Sequence, residues 1–155
     1  MRTIVIGFVA GVLSELIFHK IGWYISNQLG LSTVALYSGE PVLPFGVPAV
    51  ASQALWGGLW GIAAMFFVPR LPSGLDGVLG WILFIALIET VVHWFIVVPI
   101  KGLPVGNGFP MPGVVVAPIV NGFWGFGMWQ IASLIGRAAK KPTVGVKEIG
   151  HADGS

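Results

Sequence analysis

Four long apolar runs, 3–24, 48–68, 77–98 and 113–135, alternate with connections rich in proline, glycine and polar residues. Each run has about the 20 residues an α-helix needs to cross the hydrocarbon core of a bilayer. The pattern therefore predicts an all-α integral membrane protein, a four-transmembrane-helix up-down bundle. Residues 1–139 would form one transmembrane domain and 140–155 a polar, mobile C-terminal tail. The first run follows Arg2 and has the look of a signal peptide. It is long, contains Glu15 and has no small-x-small cleavage site before Lys20, so it is expected to stay in the mature chain.

Polar residues inside the runs are few, and their positions repeat. Glu15 and His19 in the first run match Glu89 and His93 in the third, each pair four residues apart. In the second, Pro44, Gln53, Trp56 and Gly57 have the mutual spacing of Pro112, Asn121, Trp124 and Gly125 in the fourth. The chain reads as a helix pair written twice, residues 3–70 and 75–137. A two-helix unit brings the chain back to its starting side, so the copies would be a tandem, parallel repeat about an axis along the membrane normal.

Composition strengthens the membrane reading. Of 155 residues, 55% are hydrophobic and 9% charged, against about 25% charged in soluble domains. Arg2, Arg70, Arg137, Lys140, Lys141 and Lys147 fall on one side of the four-helix arrangement, and Lys20 and Lys101 on the other. The positive-inside rule then puts both termini in the cytoplasm, in a cytoplasmic (inner) membrane, with connections 26–47 and 99–112 outside. The basic segment after residue 136 is a topology anchor at anionic headgroups, and no nucleic-acid partner is expected. Partners are the lipid bilayer and either further copies of the chain or other membrane subunits.

Candidate chemistry resides in the repeated acids and histidines. Side chains four apart share a helix face, and the rise per residue puts Glu15, His19, Glu89, His93, Gln53 and Asn121 in one layer toward the external face. Carboxylates in hydrocarbon are costly and face partners or serve a function. Two Glu and two His around an axis suit a transition metal such as Fe, Zn or Mn, with Gln53, Asn121, Trp56 and Trp124 behind the ligands. His19 and His93 alone suit the axial positions of a b-type haem. The same layer also suits a proton-coupled transporter or channel, or polar contacts that hold a non-catalytic structural subunit in register.

Trp23, Trp81 and Trp94 are expected in the interfacial aromatic belts. Pro118 is expected to bend the fourth helix near Asn121. Gly57 and Gly61 form a small-xxx-small pair suited to close helix approach. Without cysteine, disulfide and thiolate chemistry is excluded. No phosphate-cradling glycine loop, HExxH or plausible Ser–His–Asp set occurs, so acyl transfer and nucleotide hydrolysis are not expected.

Overall fold

A computed structural model describes residues 1–138. The tail 140–155, with Lys140, Lys141, Lys147 and His151, lies outside the described residues. The chain is mostly helical, and four helices are long and apolar enough to cross a membrane: α1 (Arg2–Gln28), α2 (Ala49–Arg70), α3 (Val78–Ile100) and α4 (Gly113–Ala138). They start within one or two residues of the positions the apolar runs predict. Between α1 and α2 the chain forms a two-residue hairpin, β1 (Pro41–Val42) against β2 (Val47–Pro48).

Helix α1 is the central element, packed against α2 on one side and α4 on the other. Its seam with α2 is glycine against glycine. A Cβ on Gly7 would lie 2.7 Å from the Gly61 carbonyl oxygen, and one on Gly11 would run into the Gly57 carbonyl. Residue numbers rise along α1 as they fall along α2, so the two run antiparallel. Small residues let backbones meet this closely and gain dispersion contact where lipid offers no hydrophobic drive between helices. Against α4, the Ser14 hydroxyl donates to the Trp124 carbonyl at 2.7 Å. Helix α3 joins through α4, where Gly125 meets the Trp81 carbonyl and Gly122 faces Ile82 and Ala86. The close approach of α2 to α3 is concentrated on Phe84–Glu89, with Trp60 edge-on to Phe84.

A dry core fills the end of the bundle near Arg2 and Arg70. Ala10, Ala64, Val68, Ile85 and Met128 are fully buried there, with Trp81 and Trp124 beside them. Trp81 at 6% exposure is thus a core residue and not an interfacial belt residue. Its indole joins the cluster of Ile85, Trp124 and Met128, at the level where α3 lies close against α4 at Gly125. Helix α4 continues through Pro118 without a break.

Two helices carry a different winding. Residues Glu15–His19 of α1, and Phe84–Glu89 and His93–Val97 of α3, form π-helical turns. Such turns re-aim side chains and release carbonyls from the regular ladder. The Tyr37 hydroxyl donates to one of these carbonyls, Leu16, at 2.8 Å, tying the 26–47 connection to α1. Tyr37→Phe is expected to cost about 0.5–1 kcal/mol, read as a lower midpoint in thermal unfolding with the helical signal unchanged.

Candidate functional site

At the opposite end from the dry core the helices enclose a chamber of about 560 Å3. Glu15, His19, Gln53, Glu89, His93 and Asn121 all line it, so the layer read from sequence is one place in the folded chain. Trp56 and Trp124 line it too. The chamber reaches outward to Ser32 and Thr33 in one connection and Asn107 and Pro110 in the other.

The α1 pair is closed. His19 Nδ1 lies 2.6 Å from Glu15 Oε1, and the Trp23 indole N–H donates to His19 Nε2 at 3.0 Å. An indole nitrogen only donates. Nε2 is therefore the acceptor, the ring is neutral, and its proton sits on Nδ1 pointing at the carboxylate. Both ring nitrogens are occupied. Lys20, one residue on, is 3% exposed and donates to Gln53 Oε1 at 2.6 Å and to Glu15 Oε1 at 3.5 Å. Lys20 is thus a buried ion-pair member, not the exposed topology charge its position suggested. The π-helical turn explains this, because it brings residues five apart onto a shared face.

The α3 pair is open. Glu89 is 5% exposed, and its Oε2 accepts from Asn121 Nδ2 at 2.7 Å. Asn121 Nδ2 also donates to the Thr90 hydroxyl at 2.7 Å. Glu89 Oε1 faces His93 Nδ1 at 3.6 Å, beyond hydrogen-bond length. The His93 side chain is 42% exposed, against 13% for His19. Among the described residues no lysine or arginine lies within ion-pair distance of Glu89. Lys101, just past the end of α3, lines the chamber without such a partner. Burial pushes its ammonium below the ordinary lysine range, against the opposing pull of Glu15 and Glu89.

Two further tryptophans expected in interfacial belts are found here. Trp23 caps His19, and Trp94 lines the chamber, packed edge-on against Phe109. Both lie one residue position or one turn from a site histidine, which the belt rule does not consider. Sequence reasoning also passed over Thr90, which follows Glu89 directly and shares its amide partner.

The donor set bears on the metal and haem expectations. Among the described residues no group of three or more His, Asp or Glu side chains is clustered for a metal ion. A ring nitrogen must be free to ligate iron or zinc, and His19 offers none while Glu15 and Trp23 hold it.

Fold and site together define a helical chain with four helices able to cross a membrane and one off-centre polar chamber among them. It matches no protein-family model, no curated protein and no solved structure.

Proposed function

We propose that the protein is a proton-coupled carrier of a small solute in the cytoplasmic membrane, with the chamber as its binding site and the Glu89/His93 pair as its proton-exchanging group. The observation that carries this reading is the contrast between the two pairs around one cavity. The α1 imidazole has both ring nitrogens engaged and its carboxylate is held by Lys20, whereas the α3 pair keeps an imidazole and a carboxylate oxygen without a hydrogen-bond partner at the cavity. A chamber of this size, with aromatic walls and a few convergent polar groups, has the form of a small-molecule site. The dry core at its far end favours a carrier over a channel, because an open pore needs a hydrated path along its length.

This reading keeps the up-down bundle and the tandem two-helix repeat, supported by repeat-related residues lining one cavity. It also keeps the orientation drawn from the charges, with termini in the cytoplasm and the chamber opening to the external face. Further copies or other membrane subunits are proposed as partners, since four helices enclose little volume. A metal or haem role would require Glu15 and Trp23 first to release His19.

The test is proton movement in proteoliposomes carrying an internal pH dye. An imposed solute or potential gradient should drive acidification that Glu89→Gln abolishes and His93→Ala slows. Equal rates for Glu89→Gln and the unaltered protein, both correctly folded, would remove the proposal. A Soret band or stoichiometric iron, zinc or manganese in the purified protein would reinstate the metal reading.

A further inference from the structure

Among the described residues, one of the two buried carboxylates lining the chamber, Glu89, has no lysine or arginine within ion-pair distance. Glu15 is balanced by Lys20 at 3.5 Å and by the His19 N–H. Glu89 is equally buried, yet the groups on it are the neutral Asn121 amide and the uncoordinated edge of His93. A buried carboxylate is costly to keep charged without a partner of opposite sign. Either a proton or a bound cation completes it, and the chamber has room for much more than a proton.

The walls narrow the choice. Trp56, Trp60 and Trp94 line the same space, and indole faces attract ammonium groups through the ring quadrupole. Lys101 stands on the chamber lining at the loop end, beyond ion-pair distance of Glu89, so a bound head must carry a single positive charge held at Glu89 and away from that lysine. We infer that the chamber binds an organic monocation, a small ammonium compound whose charged head meets Glu89 and whose apolar body lies against the tryptophans. This deepens the carrier reading by naming the substrate class, and rests on the same site.

One geometric fact leaves two sources for that head. Helix α2 approaches α3 mainly at Phe84–Glu89, so the chamber is bounded by close backbone packing on the α1/α4 side and loosely on the α2/α3 side. An ammonium can come from water as a free amine, or from the bilayer as an amine-headed lipid.

Full-length protein in nanodiscs answers this by titration with benzyltrimethylammonium, read by tryptophan emission, with neutral neopentylbenzene and anionic phenylpropionate as comparators. The cation should bind saturably. Glu89→Gln should weaken it roughly tenfold to a hundredfold, the span of a lost charge-assisted contact, and Glu89→Asp should weaken it less. Binding of the neutral compound as tight as the cation, or unchanged binding in folded Glu89→Gln, overturns the inference. Nanodiscs of phosphatidylethanolamine against phosphatidylglycerol separate the sources: competition by the ethanolamine lipid identifies the bilayer, and equal cation affinity in both identifies the aqueous amine. Cation binding without proton movement leaves this inference standing while removing the carrier reading. Proton movement without cation binding does the reverse.

Discussion

Gly11→Leu is expected to prevent the four helices from assembling. The first atom of any side chain at this position runs into the Gly57 carbonyl oxygen, and behind it stands backbone, which has no rotamer to yield. Overpacking a core by displacing flexible side chains costs about 1–3 kcal/mol. Here a helix axis must move instead, and with it Gly7 against Gly61, so the expected cost is about 3 kcal/mol or more. The measurement is the folded fraction in mild detergent, by size exclusion and resistance to protease. Gly136→Ala is the control. A Cβ there meets nothing within 4 Å, and replacing a helix-interior glycine with alanine should stabilise by about 0.5–1 kcal/mol. A folded, protease-resistant Gly11→Leu protein would show that the α1/α2 seam is not set by backbone contact.

The second large effect is expected from Glu15→Ala. Removing this carboxylate leaves the Lys20 ammonium in the bundle with a single neutral acceptor, the Gln53 amide oxygen. Breaking a buried pair from one side costs about 3–5 kcal/mol, because the remaining charge has lost its counterpart. It also frees the His19 Nδ1 proton. Lys20→Met in the same chain should restore most of the stability, since replacing both members of a buried pair with apolar groups is often neutral. A double-mutant cycle on denaturant midpoints gives the coupling between the two sites. Near-additive losses would mean that Lys20 is held by other groups.

Helix positions were legible because an 18- to 25-residue apolar run has few other solutions. The shared layer of Glu15, His19, Glu89 and His93 was legible too, since spacing of four on a helix and equal depth are properties of one dimension. The role of Lys20 was not. A regular α-helix puts residues 15 and 20 on different faces, and only the π-helical turn at Glu15–His19 reunites them. Depth alone places Trp23 at the lipid interface, yet it lies one helical turn beyond His19, where its N–H reaches the ring. The Gly57/Gly61 pair was visible as a motif, but its counterpart on α1, Gly7 and Gly11, required knowing which helices touch.

The four helices are unequally packed. α1 is fastened along both flanks, while α2 and α3 meet mainly through Phe84–Glu89 and the Trp60/Phe84 contact. In a bilayer, acyl chains would lie against the face where those two helices are less closely packed. On the carrier reading proposed above, the surrounding lipid would form part of the container, and bilayer thickness and chain saturation would tune how the protein holds its guest as directly as a substitution in the wall.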